Sequence, residues 1–282
     1  MNYLNYNGKL HPENSLIASA DNRALRYGDG LFETIMYKNG KFILLDEHLG
    51  RLWEGMQLLQ FECPKLFTKN YIVTELQNLM DKNNFTTARV RLTIIRGNGG
   101  LYDAVNHQPN FIIQGWPITK VHDQLNINGL QICIYREARK ICDALSNIKH
   151  NNYLPYLMGA LFAKKNKCND AVILNQHLRI CESTIANIFI IKDQVIYTPS
   201  LAEGCVNGII RQNLLTQLPA LGFKIKEIEI NEEMLMNAEE IFLSNSIYNI
   251  RWVASANDKI YSNHYTQKIF RALCKTNAAG FC

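Results

Sequence analysis

The sequence lacks the features that mark membrane, secreted and nucleic-acid-binding proteins. No apolar run reaches the length that spans a bilayer, and the polar stretch Met1–Lys9 contains no signal-peptide core. The formal net charge of +5 is spread along the chain without a block of Lys or Arg. The 8 cysteines form no C-x-x-C pair and show no zinc-binding spacing with His. These absences predict a cytoplasmic protein with reduced thiols, no metal, and neither nucleic acid nor membrane as a partner.

What is present is ample material for a folded core, because 47% of the 282 residues are apolar. Strand and helix signals are mixed throughout, and they alternate in the second half of the chain. The segment Trp116–Asp123 has the composition of a connection. We therefore expect an α+β or α/β fold with two domains, a smaller one over residues 1–120 and a larger one over residues 121–282.

Several local signals predict individual elements. Asn7-Gly8 is a strong hairpin turn signal. Asp46 is placed to cap a helix whose apolar face includes Leu49 and Leu52. A further helix is predicted over Thr68–Asn83. These elements precede the residues on which the chemistry depends.

Lys149 lies at a strand-to-helix junction near the middle of the chain. A lysine there is either a solvated cation or, if burial lowers its pKa, a nucleophile towards carbonyls. Pyridoxal phosphate is the cofactor that most uses such a lysine, and it also needs an acid at its pyridine nitrogen and donors around its phosphate. The sequence offers candidates for both.

Glu182 interrupts an apolar, β-prone run, where a buried carboxylate requires a partner. A protonated pyridine nitrogen is one such partner; an arginine or a water-filled surface is the alternative. The glycine-rich approach to a helix at Ile209 is either a phosphate cradle or an ordinary helix cap. Ser244–Ser246 is either a second group of donors or a plain turn. Arg51 either points inward or packs its stem and keeps its head in water.

The blocks from Tyr27-Gly28-Asp29-Gly30 to Ser244-Asn245-Ser246 occur together over nearly the whole chain. In content, order and spacing they resemble the class IV aminotransferase family, the fold-type IV pyridoxal phosphate enzymes. The resemblance implies that family's two-domain fold, a homodimer, and a pyridoxal 5′-phosphate cofactor bound to Lys149 as a Schiff base. It also implies that Lys149 shuttles the α-proton of a small-molecule substrate.

The resemblance carries further roles over to matching positions. Glu182 would pair with the pyridine nitrogen, and Tyr153 would contact the phenolic oxygen edge of the cofactor. The phosphate would be held by the Arg51 side chain, the backbone N–H groups of Ile209 and Ile210, and the Ser246 hydroxyl. Phe32 and Thr34 match positions that face the substrate.

Within the family, three stretches look most like aminodeoxychorismate lyases, which release 4-aminobenzoate and pyruvate and belong to folate biosynthesis. They are Asn147–Asn151, Val206–Gln212 and Arg96–Gly100. An aminotransferase for branched-chain or other L-amino acids is the alternative. D-amino-acid aminotransferases carry an Arg and a His where this chain has Leu101 and Asp103, which disfavours that activity. A cofactor-free binding protein with the same fold is disfavoured because Lys149, Glu182 and Arg51 are all present.

Overall fold

The computed structural model describes residues 2–102, 106–119 and 124–276. It divides into two compact units. The first contains Met1–Val121 together with Ile148–Asn152, and the second contains His122–Asn147 and Tyr153–Cys282. Lys149 thus belongs to the first unit, whereas the sequence assigned it to the C-terminal domain. The physical reason is that the backbone of its segment bonds to a strand of the first unit. The connection predicted to divide the domains includes residues 120–123, which lie outside the described part of the chain.

The elements of the first unit, in chain order, are strands β1 (Tyr3–Tyr6) and β2 (Lys9–Pro12), helix α1 (Arg23–Tyr27), strands β3 (Gly30–Lys38) and β4 (Lys41–Phe42), helices α2 (Leu45–Leu58) and α3 (Lys69–Lys82), and strands β5 (Thr87–Ile95) and β6 (Asn110–Pro117). Within the described ranges its six strands form one sheet in the order β2-β1-β6-β5-β3-β4. Each neighbouring pair is antiparallel.

The sheet of the first unit has one apolar face. Alternation along β3 sends Leu31 and Ile35 to the side that packs with Leu49 and Leu52 of α2 and with Leu76 of α3. All five side chains are buried. Because side chains alternate along a strand, the intervening residues of β3 occupy the opposite face.

The elements of the second unit are β7 (Leu130–Lys140), α4 (Leu154–Lys165), β8 (Asp170–Asn175), β9 (Ile180–Ser183), β10 (Asn187–Lys192), β11 (Val195–Pro199), a 3₁₀ turn (Leu201–Glu203), α5 (Ile209–Ala220), β12 (Lys224–Ile228), α6 (Glu232–Met236), β13 (Glu240–Asn245), β14 (Asn249–Ala256), β15 (Lys259–Ile260) and α7 (His264–Lys275). Over the described residues the strand order is β12-β11-β10-β13-β14-β7-β8-β9, with β15 on β14. The pairs β11–β12, β14–β7 and β7–β8 are parallel, so the sheet is mixed.

Strand β8 of this second sheet is covered on both faces, and all six of its residues are buried. Val172 and Leu174 point into one apolar cluster, and Ala171 and Ile173 point into another that includes Tyr156 of α4. Two apolar layers therefore fix β8, and with it the neighbouring strand β9.

Most of the local predictions are confirmed. Asn7 and Gly8 adopt the positive φ of a tight turn between β1 and β2, and α3 begins after its Thr68 cap. The prediction that Asp46 caps α2 is wrong: the cap position is Leu44, and Asp46 lies in the first turn, where its charge still complements the helix dipole. Among the residues described, no helix is both long and apolar enough to cross a membrane.

Candidate active site

The backbone of Lys149 is fixed by strand β3 of the first unit. Phe32 N donates to Lys149 O at 2.9 Å, and Asn151 N donates to Gly30 O, also at 2.9 Å. Leu31 and His150 form a β-bridge between these two bonds. The segment Ile148–Asn152 therefore covers the start of β3 much as a short strand would.

The Lys149 amine faces a polar, cationic surface on the side of the first sheet away from its helices. Its Nζ lies 4.7 Å from the centroid of the Phe32 ring, and Arg91 Cζ lies 3.7 Å from the same centroid. Phe32 is opposite Thr93, and Thr34 is opposite Arg91, so these four side chains share one face. Arg91 Nε donates to Thr93 Oγ1 at 3.2 Å. Phe32 and Thr34 thus lie on the face that the Lys149 amine approaches.

Arg51 points inward and pairs with Glu33. Its Nε donates to Glu33 Oε1 at 2.8 Å and its Nη2 donates to Oε2 at 2.6 Å. His48 Nδ1 lies 2.6 Å from the same Oε2. Burial by itself raises the pKa of Glu33, but the charges and hydrogen bonds of Arg51 and His48 lower that pKa to about 2. The guanidinium plane of Arg51 is therefore held by a carboxylate that is ionised at neutral pH.

Glu182 is the buried carboxylate of the second unit, at 3% exposure on β9. Its Oε1 accepts from Lys140 Nζ at 2.8 Å, from the Tyr156 hydroxyl at 2.6 Å and from Val206 N at 3.1 Å. Its Oε2 is 3.2 Å from the same Val206 N. The partner is thus a lysine rather than the arginine or water considered from the sequence.

Tyr153 comes directly before α4 and is held at both ends of its side chain. Its hydroxyl donates to Thr184 O at 3.1 Å. Its ring stacks on Tyr156, with centroids 4.5 Å apart and the planes inclined by 29°. Since Tyr156 also bonds Glu182, the tyrosine pair links α4 to β9.

The start of α5 provides backbone N–H groups without a capping side chain. Gly208 is the cap residue, so the first-turn donors at Ile209 and Ile210 meet no side-chain oxygen there. A Cβ at Gly208 would overlap the side-chain oxygen of Asn187, which explains the need for glycine. Asn187 Nδ2 in turn donates to Val206 O at 2.8 Å. The helix start therefore offers two N–H groups that suit an anion.

Ser244 and Asn245 are the last two residues of β13, and Ser246 follows the strand directly. Ser244 is opposite Asn187 in the sheet, and its buried Oγ has no hydrogen-bond partner among the described residues. Ser246, the serine matched from the family pattern, lies two residues later and is partly exposed. An unpartnered buried hydroxyl is costly unless a ligand satisfies it, so Ser244 joins Ser246 as a candidate donor.

Reasoning from sequence missed Lys140, Tyr156 and Arg91. Lys140 ends a β-strand, where a terminal lysine ordinarily lies in water, and its carboxylate partner is 42 residues away. Tyr156 lies on the predicted helix but gave no signal of a polar role. Arg91 alternates with apolar residues along β5, and this alternation was the one signal available for it.

Comparison with known proteins identifies the family. Residues 30–256 match the family model described as amino-transferase class IV. A putative branched-chain-amino-acid aminotransferase of Methanocaldococcus jannaschii is 25% identical over 95% of this chain and 92% of its own. D-alanine aminotransferase of Bacillus licheniformis is 26% identical over 86% and 83%. Aminodeoxychorismate lyase of Vibrio harveyi is 26% identical over 81% and 83%.

Solved structures agree on the fold. Branched-chain aminotransferase of Thermoproteus uzoniensis, with norvaline, superposes at a TM-score of 0.88 with 23% identity, covering 99% of this chain and 95% of that one. Branched-chain amino acid aminotransferase from T.th., with pyridoxamine 5′-phosphate, gives a TM-score of 0.84 with 19% identity over 99% and 95%. The chain therefore belongs to the class IV aminotransferase family, whose members are enzymes that depend on pyridoxal 5′-phosphate.

Proposed function

We propose that this chain is a cytoplasmic aminodeoxychorismate lyase, which releases 4-aminobenzoate and pyruvate. The observation that carries this choice is the joint occurrence of the stretches Asn147–Asn151, Val206–Gln212 and Arg96–Gly100. Two of them are tied together, because Asn207 N donates to Asn147 O at 3.0 Å. The Asn147 side chain also donates to Cys205 O at 2.7 Å, which holds the chain just before Lys149.

The donor set fits pyridoxal 5′-phosphate. The uncapped start of α5 and the unpartnered Ser244 hydroxyl suit the phosphate, and the buried Glu182 carboxylate suits a protonated pyridine nitrogen. When bound, the cofactor supplies a carbonyl carbon for an amine and a ring that draws electrons from the substrate. The residues we assign to it are Lys149, Arg51, Tyr153, Glu182, Ile209, Ile210 and Ser246, with Ser244 added.

Lys149 is the proposed catalytic residue. Its fixed backbone lets the amine return to one position after each turnover, because β3 holds the peptide groups on both sides of it. We infer that Nζ removes a proton from the substrate and delivers it to another atom of the same substrate.

The substrate is proposed to lie over Phe32 and Thr34. Aminodeoxychorismate carries two carboxylates, and the Arg91 guanidinium on the same sheet face supplies a cation for one of them. The Phe32 ring lies under this guanidinium, with its centroid 3.7 Å from Arg91 Cζ, and supports its position.

A direct product assay tests the lyase. The purified protein, loaded with pyridoxal phosphate, is given aminodeoxychorismate, and 4-aminobenzoate is followed by fluorescence and pyruvate by a coupled assay. We expect both products in equal amounts without any amino acceptor. Consumption of amino acids without release of 4-aminobenzoate from aminodeoxychorismate would overturn the proposal.

An aminotransferase for branched-chain or other L-amino acids is the second candidate, favoured by the Methanocaldococcus relative that spans 95% of this chain. It predicts that an amino acid bleaches the cofactor band stoichiometrically and that a keto acid restores it. A D-amino-acid activity is disfavoured, because Leu101 stands where such enzymes use an Arg. Asp103, the second position concerned, lies outside the described residues.

We also propose a homodimer. Helix α4 turns Tyr156 and Gly159 inward, yet its other side carries a stripe of exposed apolar residues. The stripe consists of Leu154, Leu157, Met158 and Leu161, which are 69%, 53%, 43% and 52% exposed. Light scattering of Leu157→Glu tests the stripe: a dimer that becomes monomeric supports it, and an unchanged mass removes α4 from the interface.

A further inference from the structure

The two oxygens of Glu182 are used unequally. Oε1 accepts three donors, from Lys140, Tyr156 and Val206, whereas Oε2 shares with Oε1 the backbone N–H of Val206 alone. A carboxylate oxygen has room for about two hydrogen bonds, so Oε1 is saturated and Oε2 retains capacity for a strong donor. The Glu182 side chain is thus held in place through Oε1, and Oε2 can accept a further hydrogen bond.

Lys140 supplies a cation at the saturated oxygen. It is 6% exposed and bonds both Glu182 Oε1 and the carbonyl of Ser146, the latter at 3.1 Å. Burial by itself lowers the pKa of Lys140, but the neighbouring Glu182 charge outweighs it and the pKa rises. Lys140 is therefore protonated at neutral pH.

The thiols and the phenol around this pair are neutral. Burial raises the pKa of the Cys205 thiol to about 12 and raises the pKa of Cys181 well above its usual value. Burial and the Glu182 charge likewise raise the pKa of Tyr156, so its hydroxyl stays a donor. Lys140 and Glu182 are therefore the charged groups of this cluster and form a close ion pair. Removing the charge of one changes the electrostatic energy of the other.

We propose that Lys140 is a positioning residue that, through Oε1 of Glu182, keeps the proton shared by Glu182 and the pyridine nitrogen of the cofactor on the nitrogen. This inference rests on the proposed role of Glu182. A buried carboxylate facing a pyridine nitrogen has two arrangements, an ion pair or a neutral acid beside a neutral ring. In a site of low polarity the neutral arrangement gains.

The Lys140 charge selects between these arrangements. Its Nζ contacts Oε1 directly at 2.8 Å, so a ring nitrogen bound at Oε2 would lie farther from this charge than the carboxylate does. The Lys140 charge would therefore stabilise the carboxylate anion more than it would disfavour a cation at Oε2. The ring is then protonated and draws electrons most strongly. Lys140 thereby acts on the cofactor without touching it.

The test reads the ring nitrogen directly. Protein reconstituted with nitrogen-15-labelled pyridoxal phosphate is studied by NMR as wild type, Lys140→Met, Lys140→Arg and Lys192→Met, the last an exposed lysine at the end of β10 serving as control. We expect a protonated-ring chemical shift in wild type and Lys192→Met. In Lys140→Met we expect the chemical shift to move towards the value of unprotonated pyridine. In Lys140→Arg we expect the protonated-ring value of wild type again.

Kinetics and stability complete the test. We expect kcat of Lys140→Met to fall roughly tenfold or more, since one pKa unit corresponds to a factor of ten. Because loss of a buried cation also affects folding, thermal unfolding of each apoprotein is measured, and Tyr156→Phe serves as a second variant that keeps the charge. We expect Tyr156→Phe to leave the ring protonated.

The outcomes separate this inference from the proposed function. An unchanged nitrogen-15 shift in folded Lys140→Met, with a changed shift in Glu182→Gln, would overturn the role of Lys140 alone. An unchanged shift in both variants would remove Glu182 as the partner of the ring, and with it that part of the proposed function.

Discussion

Glu33 in the first unit and Glu182 in the second are both nearly inaccessible to solvent, at 1% and 3% exposure, and both are paired with a cation. Their oxygens are used differently. Both oxygens of Glu33 take bonds from the Arg51 guanidinium, and His48 adds a third contact to Oε2. Glu182 concentrates its partners on Oε1.

The difference supports the proposal that Glu182 binds a ligand, whereas Glu33 orients another side chain. Glu33 has no oxygen left for a ligand, so its effect passes through Arg51. Glu182 keeps Oε2 for an incoming donor. Two equally buried carboxylates can therefore differ in the capacity they retain for a further donor, and this capacity favours Glu182 as the proposed partner of a ligand.

The largest effect is expected at Lys149, the proposed catalytic residue that both glutamates would serve. Lys149→Ala should abolish the visible absorption band of the bound cofactor and lower turnover by roughly 100- to 10,000-fold. Absorbance and product assays measure both quantities, with Lys164→Ala on α4 as control. Retained turnover in Lys149→Ala would mean that neither glutamate serves the reaction proposed here.

Glu33→Gln tests the saturated carboxylate. Breaking a buried ion pair strands the Arg51 charge, so the free energy of unfolding should fall by about 3–5 kcal/mol at neutral pH. Urea denaturation measures it, with Glu54→Gln on the same helix as Arg51 for control. A loss below that of the control would show that Glu33 is dispensable.

The pH dependence of that difference has a definite sign. The pKa of Glu33 is lowered from 4.5 to about 2, so its contribution is complete above pH 4.5 and is lost as the pH falls towards 2. The pKa change corresponds to roughly 3 kcal/mol. Urea midpoints of wild type and Glu33→Gln should therefore converge on acidification. A gap that stays constant from pH 7 to pH 3 would contradict the ion-pair explanation.

Glu182→Gln tests the carboxylate that keeps an open oxygen. Loss of a charged hydrogen bond worth about 1.5–3 kcal/mol should lower kcat by roughly 10- to 150-fold while cofactor still binds. Steady-state kinetics at saturating pyridoxal phosphate provide the measurement. If kcat is unchanged, Glu182 is structural, and the contrast with Glu33 disappears.

The smallest effect is expected at the serine with an unpartnered hydroxyl. Ser244→Ala should weaken the affinity for pyridoxal phosphate by up to about tenfold, the value of one hydrogen bond, without destabilising the apoprotein. Equilibrium titration of Ser244→Ala and Ser246→Ala compares the two serines directly. A lower affinity in Ser246→Ala alone would restore the assignment made from the sequence.

Short-range sequence signals predicted many of the helices and turns of the fold. Helix α3 follows its Thr68 cap and α5 begins at Ile209, because a helix start depends on neighbouring residues. The family pattern likewise pointed to Lys149 and Glu182. Hydrogen-bond partners that are distant in sequence could not be predicted. Glu182 meets Lys140 through the pairing of strands far apart in the chain, and no local pattern encodes that meeting.

The structure groups Lys149 with the first unit for the same kind of reason. Its segment is flanked on both sides by residues of the second unit, so position along the chain indicated that unit. Two backbone hydrogen bonds to β3, which together form one β-bridge, place it in the first. The exposed apolar side of α4 could not be predicted from the sequence either. The spacing of its apolar residues predicts a helix but does not indicate which side of the helix is covered.

The discontinuous first unit has a consequence for biosynthesis. A nascent chain that has reached Val121 already holds every strand of that unit's sheet, yet the peptide groups of Gly30 and Phe32 have not met Lys149 and Asn151. That end of β3 remains an open strand edge until Ile148–Asn152 is synthesised. A fragment ending at Val121 should therefore be prone to association, and a peptide carrying residues 148–152 should suppress it.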